Sequence, residues 1–385
     1  MASIVRICTS MANSSKVDWA GTAVLAFALA VLFFFVFGIP PLSIGGVAED
    51  CAVSSLWTST DDKPQVSSPE TISNVILVML DGVRWQEIAE SREGSAMFPR
   101  LHSTLSKDAQ LFLNDTVSNP FKTSLPAYQS IFAGSIQQCY GNNCGRISTE
   151  TFPERLVREL RLDRKKVATL ASWNRIACAV ESKPKATFVN AGDQPVIDGP
   201  VDSELATNNQ LQQQKQWASE YYREAARFDE HTFRHAMSYL DRHRPNFLFL
   251  SLVDSDIYGH QHDYQGYAQA LRQYDRWLNE IMEKLDTMGD YGRKTAVIVT
   301  TDHGRGSGAT SWSEHGPKIP ESGRIWTYVR VPQNGSFRII ERTTNHSHVD
   351  LRPTIETLFG LQPRVCSGCG KSFVAAAKPE TIGTN

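Results

Sequence analysis

The chain has 385 residues, of which 41% are hydrophobic, and a formal net charge of -2. A chain of this size can bury a large core, and the near balance of charges gives it no bulk polyelectrolyte character. We therefore expect a globular protein without a nucleic-acid partner.

The first 50 residues differ in kind from the rest. After a short N-terminus (residues 1–18), residues 19–39 carry no charge, and this length suffices for a helix that crosses a bilayer. Arg6 and Lys16 precede this segment, and Glu49 and Asp50 follow it, which predicts a cytoplasmic N-terminus and a transmembrane signal anchor. The alternative is a cleaved signal peptide, whose apolar part is usually shorter. We expect a single-pass membrane protein with its main domain at the cell surface, in a lumen or in the periplasm.

Six cysteines follow the apolar segment, an even number that suits disulfide pairing in an oxidising compartment. Cys139 and Cys144 are spaced for a small disulfide loop. Cys366 and Cys369 could form half of a zinc ribbon, but no second pair has matching spacing, so we predict a structural role for them.

Residues 40–72 are polar and rich in Pro and Ser, which predicts a linker that leads to one domain at residues 73–385. In that domain, short apolar runs alternate with helical stretches. The predicted strands begin at residue 75 and cover 166–173, 246–256 and 295–304, and the main predicted helices cover 208–243 and 267–285. This order predicts an α/β fold, a three-layer sandwich with a mostly parallel central sheet flanked by helices.

Acidic residues and a histidine stand at the ends of three of the predicted strands. Asp81 ends the first, Asp254 and Asp256 end the strand at 246, and Asp302, followed by His303, ends the last. Parallel strands end at the same edge of a sheet, so we expect these side chains to gather in one crevice. Carboxylates so close together repel one another unless a cation neutralises them, which predicts a metal site.

His260 and His315 complete a set of six candidate ligands. A mixture of carboxylates and imidazoles suits Zn²⁺, suits Mn²⁺ less exclusively, and suits Ca²⁺ poorly. Six ligands are too many for one tetrahedral ion and supply three for each of two ions. The sequence therefore predicts two Zn²⁺ ions per chain, with Mn²⁺ as the alternative.

The stretch "NPFKTSLPAYQSIFAG" at 119–134 offers a nucleophile. Thr123 and Ser124 precede an apolar, helix-like run, and the positive end of a helix dipole favours both an oxyanion and a bound phosphate. The same pattern is also that of an ordinary helix N-cap.

Taken in chain order, these motifs resemble those of the alkaline phosphatase superfamily, and most closely those of its type I phosphodiesterase and nucleotide pyrophosphatase branch. The resemblance extends from about residue 74 to about residue 363. It rests on Asp81, Ser124, Asp256 with His260, Asp302-His303-Gly304 and His315-Gly316.

The resemblance implies two three-residue metal sites: Asp256, His260 and His315 for one ion, and Asp81, Asp302 and His303 for the other. It also implies that Ser124 completes the second of these sites and attacks phosphorus to form a phosphoserine intermediate. Thr123 is a substrate-binding residue or the alternative nucleophile. Asn142 or Asn143 lies near the position where this branch binds a phosphate oxygen.

The implied function is a membrane-anchored, extracytoplasmic hydrolase of phosphoric esters, of the phosphodiesterase type, that acts on a small molecule or a lipid head group. Alternatives are a phosphomonoesterase or a phosphoethanolamine-type transferase with the same site, or a non-catalytic binding domain. A sulfatase is disfavoured, because Tyr128 stands where that family requires Arg. No sequence feature predicts an oligomeric state.

Other candidates have ordinary structural explanations. Asp254 is either an alternate ligand or a group that supports the ligands. We predict that His231 and His235 form a solvated surface pair, because their helix offers no third ligand. Loop roles are expected for His346 and His348, and core packing or pocket lining for Trp173.

Overall fold

The computed structural model describes residues 51, 73–89, 97–106, 108–192, 226–340 and 346–377, all within the unit Glu49–Asn385. The predicted anchor at 19–39 and most of the predicted linker lie outside the described residues. Among the helices that are described, none combines the length and the apolar character needed to cross a membrane.

The centre of the domain is a seven-stranded sheet of order β2-β7-β6-β1-β5-β3-β4. Its strands are β1 (Asn74–Leu80), β2 (Ala109–Thr116), β3 (Val167–Ala171), β4 (Phe188–Ala191), β5 (Phe247–Leu252), β6 (Thr295–Thr300) and β7 (Arg324–Arg330). Strands β6, β1, β5, β3 and β4 are parallel, and β7 pairs antiparallel with β6 and β2. The prediction of a mostly parallel sheet is confirmed. A separate two-stranded antiparallel sheet is formed by β8 (Phe337–Ile339) and β9 (Val374–Ala376).

Helices lie along the sheet and connect its strands. They are α1 (Trp85–Ala89), α2 (Pro99–Ser103), α3 (Ser124–Ala133), α4 (Phe152–Leu160), α5 (Ala177–Val180), α6 (Asp229–His243), α7 (Asp254–His260), α8 (Tyr264–Thr287), α9 (Asp290–Arg293) and α10 (Leu351–Leu358). The predicted helix at 267–285 lies within α8, and the described part of the one at 208–243 contains α6.

Strand β1 shows why the sheet is covered on both faces. All seven of its residues are buried. Successive side chains of a strand point to opposite faces. Val75, Leu77 and Met79 accordingly join one hydrophobic cluster. Ile76, Val78 and Leu80 join the other. The uninterrupted apolar run therefore reflects a strand with helices packed on both sides.

Three disulfide bonds join the six cysteines that follow the predicted anchor. Cys139 pairs with Cys144, as predicted, and Cys366 pairs with Cys369 rather than contributing to a zinc ribbon. Cys51 lies within the predicted linker, yet it is buried and bonded to Cys178 of α5.

Replacing Cys51 and Cys178 together with alanine should lower the free energy of unfolding by about 5 kcal/mol, because this bond closes a long stretch of chain. Its sequence separation is 127, against 3 for Cys366–Cys369. The matched control, C366A/C369A, should therefore lose only about 2 kcal/mol. Denaturant titration of the two oxidised variants measures both losses, and equal losses would contradict this account.

Candidate active site

Three neighbouring strands end at one crevice. Strand β1 lies between β5 and β6 and is parallel to both, with Leu80 level with Leu252 and Met79 level with Thr300. The turns that follow these strands therefore open at the same edge of the sheet, where ligands bind in open α/β folds. Asp81 follows β1 directly.

The turn after β1 requires a glycine. Gly82 has a φ of +66°, and a Cβ atom there would lie 2.5 Å from Asp256 Oδ1. Its backbone N–H donates a hydrogen bond of 3.0 Å to Asp302 Oδ1. Gly82 thus allows the backbone to approach carboxylates that come from two other strand ends.

The first group of candidate ligands consists of Asp81, Asp302 and His303, called here the Asp81 cluster. All three side chains are buried. His303 Nε2 lies 3.6 Å from Asp81 Oδ1 and 3.4 Å from Asp302 Oδ2. His303 Nδ1 lies 2.9 Å from the Gly304 carbonyl oxygen, which can only accept a hydrogen bond, so Nδ1 carries the proton. In the neutral ring, the Nε2 lone pair therefore faces the carboxylates.

The second group consists of Asp256, His260 and His315, called here the Asp256 cluster. His260 Nε2 lies 3.1 Å from Asp256 Oδ2 and 3.2 Å from His315 Nε2. His315 Nδ1 donates to the Lys122 carbonyl oxygen at 3.0 Å, which directs Nε2 inward. The two clusters adjoin at His303, whose Nε2 is 3.9 Å from Asp256 Oδ1.

Ser124 is the first residue of α3 and is fully buried. Its Oγ lies 3.4 Å from Asp81 Oδ1 and 3.4 Å from His303 Nε2. The hydroxyl is thus placed against the Asp81 cluster and at the N-terminal end of a helix of ten residues. The structure therefore brings Ser124 and all six predicted ligands into one connected group.

Burial and mutual repulsion dominate the electrostatics of these side chains. Burial, followed by the charges of Asp302 and Asp256, raises the pKa of Asp81 well above its usual range. Burial and the charge of Asp256 raise the pKa of Asp302 to about 6. Burial lowers the pKa of His303 to about 4 and that of His315 well below its usual range. The imidazoles are therefore neutral near pH 7, the form that binds metals.

The donor set fits a divalent metal ion. Asp302 Oδ2 is buried and accepts no hydrogen bond from any residue that the structure describes. Two groups, Asp81 with Asp302 and His303, and Asp256 with His303 and His315, each bring three ligand atoms within 4.8 Å of one another. Buried carboxylate oxygens and inward imidazole nitrogens suit zinc and, less exclusively, manganese.

The predicted substrate-binding residues lie beside the start of α3. Thr123 occupies the N-cap position of α3 but makes no side-chain capping bond, and its buried Oγ1 has no hydrogen-bond partner among the described residues. Asn142 Oδ1 accepts the Leu125 N–H at 2.9 Å, so this side chain caps the helix. Asn143 is exposed and lines a neighbouring cavity of about 330 Å³.

Two of the remaining candidates support the site from outside. Asp254 accepts a hydrogen bond of 3.3 Å from the backbone N–H of Asp229, away from His260. His348 is buried and donates from Nε2 to the Thr301 carbonyl oxygen at 3.0 Å, directly before Asp302.

The other candidates lie apart from both clusters. His346 contacts Asp115, with Nδ1 3.2 Å from Oδ1, and Trp173 is buried in the core. The predicted solvated pair, His231 and His235, is half-buried on α6. Burial lowers the pKa of both rings, that of His235 to about 3.

Sequence analysis missed the roles of three buried residues. Tyr128 donates a hydrogen bond of 3.1 Å from its hydroxyl to Asp81 Oδ2. Asp229 accepts the backbone N–H groups of Val253 and Asp254, which fixes the start of α7. Arg305 donates to the carboxylate of Asp256. Tyr128 and Arg305 could have been noticed from their places beside Ser124 and His303, whereas nothing local in the sequence marks Asp229.

A match to a known family covers the part of the chain that holds most of the predicted ligands. A model of the metalloenzyme superfamily matches residues 192–347, a range that includes five of the six predicted ligands. This match covers less than half of the chain. It supports a metal-dependent enzyme and agrees with the resemblance to the alkaline phosphatase superfamily seen in the sequence.

The chain also resembles curated relatives over part of its length and solved structures in fold. The chain is 33% identical over 129 residues to a phosphopentomutase from Carboxydothermus hydrogenoformans, which covers 33% of this chain and 28% of that protein. The match spans less than a third of this curated relative. A lipoteichoic acid synthase from Listeria monocytogenes has a TM-score of 0.52 at 15% identity, over 85% of this chain and 80% of that one. A phosphonate monoester hydrolase from Silicibacter pomeroyi has a TM-score of 0.53 at 13% identity, over 78% and 75%. These two likenesses show the fold.

Replacing Asp302 with asparagine should stabilise the metal-free protein at pH 7.5. The folded-state pKa of Asp302 is raised from 3.8 to about 6, so the stability present when it is protonated is lost as pH rises through about 6. The asparagine side chain cannot ionise. The free energy of unfolding of the variant should therefore exceed that of wild type by about 1–3 kcal/mol at pH 7.5. About half of this gain is expected at pH 5, because the cost of ionising Asp302 builds up between the unfolded-state pKa of 3.8 and the folded-state pKa of about 6.

Thermal melting of the chelator-treated proteins at both pH values measures this difference. The control is Asp290→Asn, at an exposed carboxylate that is 74% accessible. An equal gain for Asp302→Asn at pH 5 and pH 7.5 would argue against repulsion between ionised carboxylates as the cause.

Replacing Tyr128 with phenylalanine should weaken zinc binding about 10–100-fold, because Asp81 loses the donor that orients it. Competition with a chromogenic chelator measures the dissociation constant. The matched control is Tyr267→Phe, whose hydroxyl contacts the backbone N–H of Arg84 outside both clusters. Identical zinc affinities in the two variants would show that the Tyr128 hydroxyl does not orient a ligand.

Proposed function

We propose that this chain is a two-zinc hydrolase of phosphoric esters, of the phosphodiesterase type, with Ser124 as the nucleophile. The observation that carries the proposal is the position of Ser124 Oγ, 3.4 Å from both Asp81 Oδ1 and His303 Nε2 in the Asp81 cluster. A buried serine with a purely structural role does not need a carboxylate and an imidazole beside its hydroxyl. A nucleophilic serine needs groups of this kind, because its hydroxyl must be activated.

The residues around Ser124 favour negative charge on its oxygen. The N-terminus of α3 presents backbone N–H groups and the positive end of the helix dipole to Ser124 and to an adjacent phosphoryl group. Asn142 holds the Leu125 N–H, which steadies the first turn of this helix. The burial of Ser124 and of the Asp81 cluster excludes bulk water from the attacking atom.

Divalent ions bound at the two clusters would lower the pKa of the serine hydroxyl and stabilise charge on the phosphoryl and leaving oxygens. Asp81, Asp302 and His303 would hold the ion next to Ser124. The second ion would be held by Asp256, His260 and His315. Zn²⁺ is the proposed ion, since both clusters combine carboxylate and imidazole donors.

The diester preference is supported by the order of the motifs from Asp81 to His315, which resembles the type I phosphodiesterase branch. Likeness in fold to a phosphonate monoester hydrolase is consistent with it. The proposed substrate is a small-molecule phosphoester or a lipid head group. We also propose an extracytoplasmic location through the apolar segment at 19–39, which the three disulfide bonds support.

The test is hydrolysis by the zinc-loaded, full-length chain in detergent. It compares p-nitrophenyl phosphate with the p-nitrophenyl ester of thymidine 5′-monophosphate. We expect faster turnover of the diester and a loss of at least about 10³-fold in kcat in Ser124→Ala, since no other group replaces the nucleophile. The matched control is Thr123→Ala, at the neighbouring hydroxyl, which should retain most of the activity.

The other outcomes separate the alternatives. Loss of hydrolytic activity in Thr123→Ala, with activity retained in Ser124→Ala, would identify Thr123 as the nucleophile. A preference for the monoester would indicate a phosphomonoesterase with the same site. Zinc binding without hydrolysis of either ester would contradict the hydrolase and favour a transferase or a binding domain.

A further inference from the structure

A buried arginine, Arg305, forms an ion pair with the Asp256 cluster. Among the described residues, no Lys or Arg forms an ion pair with the Asp81 cluster. Arg305 follows His303 by two residues, and only 1% of its surface is exposed. Its Nη2 donates to Asp256 Oδ1 and, at 3.1 Å, to the Asp256 carbonyl oxygen. Its Nη1 donates to the Ser313 carbonyl oxygen. A guanidinium group stays protonated in proteins, so this positive charge is permanent.

The Arg305 side chain packs against two glycines, Gly259 and Gly82. A Cβ atom at Gly259 would lie 2.4 Å from Arg305 Cζ. A Cβ atom at Gly82 would lie 3.0 Å from Arg305 Nε. Real Cβ atoms do not approach other atoms at the first of these distances, so the guanidinium occupies space that a glycine leaves open. Arg305 is therefore a packed component of the site.

The two clusters consequently differ in net charge. Asp81 and Asp302 contribute two negative charges, and among the described residues neither forms an ion pair with Lys or Arg. Asp256 contributes one negative charge, which Arg305 balances. With its carboxylates ionised, the form that binds a metal ion, the Asp81 cluster has a charge of -2, whereas the Asp256 cluster with Arg305 is close to neutral.

A divalent ion gains much more Coulomb energy in the first cluster than in the second, because the carboxylates of both clusters are buried and weakly screened. In the second cluster the ion must also share Asp256 with a guanidinium group of like charge. The geometry points to a strong and a weak metal site within one active centre.

We propose that Arg305 makes the two metal sites unequal, so that the Asp81 cluster binds its ion tightly and the Asp256 cluster binds its ion weakly. This rests on the proposed function only in that both clusters hold metal. Arg305 is a positioning residue, since it acts on the second ion through Asp256.

Metal titration of the chelator-treated, full-length chain tests this without any turnover. Co²⁺ serves as a spectroscopic probe, and Zn²⁺ is measured by competition with a chromogenic chelator. In wild type we expect two binding steps whose dissociation constants differ by at least about 100-fold, as expected for the loss of one charge interaction at a buried site. In Arg305→Gln the second step should tighten by at least about 10-fold, with the first step unchanged.

Two variants serve as controls. Arg305→Lys keeps the charge and should keep the sites unequal. Arg352→Gln removes another buried arginine, one that pairs with Glu356 within α10, and it should leave both steps as in wild type. Should Arg305→Gln fail to fold, the wild-type titration still decides, because two equal tight steps would overturn the proposal.

Failure of this inference is distinguishable from failure of the proposed function. Equal sites together with Ser124-dependent hydrolysis would overturn the role of Arg305 alone. Unequal sites in a protein that hydrolyses neither ester would overturn the hydrolase alone. An unchanged second step in a folded Arg305→Gln protein would also reject the role of Arg305.

Discussion

The constraint on which the rest of the structure depends is the burial of three carboxylates at one edge of a parallel sheet. Asp81, Asp256 and Asp302 come together because β1, β5 and β6 are neighbours and end at the same level. Three buried negative charges without partners would be strongly unfavourable. The surrounding structure offsets much of this cost, and a different group stabilises each carboxylate.

The offsets come from the backbone, from a phenol and from a guanidinium group. The Gly82 N–H bonds to Asp302, the Tyr128 hydroxyl to Asp81, and Arg305 to Asp256. These groups fix the orientation of each carboxylate but leave one oxygen of Asp302 without a hydrogen bond from the described residues. This carboxylate oxygen without a hydrogen bond belongs to the Asp81 cluster, which lies next to Ser124. Structural and catalytic demands therefore meet in the same few atoms.

Sequence patterns predicted the central strands because these strands are buried on both faces and have uninterrupted apolar runs. They could not predict β2 and β7, whose pairing is antiparallel and whose register shifts between Phe112 and Asp115. Strand β2 is only partly buried, so its apolar signal is weak. Strand β4 has four residues, too few for a period to be evident.

Asp81, Asp256, Asp302, His303 and Ser124 were accessible from sequence because each stands near a predicted strand end or helix start. His260 and His315 were added because imidazoles complete a carboxylate ligand set. Arg305 could have been noticed from its place two residues after His303, but its contact with Asp256 forms only when the chain folds. Burial also changed expectations for His231 and His235, since whether a helix face is solvated depends on what packs against it. Asn142 was expected to contact substrate, and its contact with the Leu125 N–H could be found only in three dimensions.

The disulfide between Cys51 and Cys178 has a mechanical consequence. Residues 52–72 are bracketed by two points held in the core, Cys51 and the start of β1. Tension applied upstream of Cys51 would enter the domain at α5 through a covalent bond and would bypass both this segment and β1. Reduction would shift the point of attachment from α5 to β1. The strand that carries Asp81 is thus shielded from pulling by a bond formed far from it in sequence.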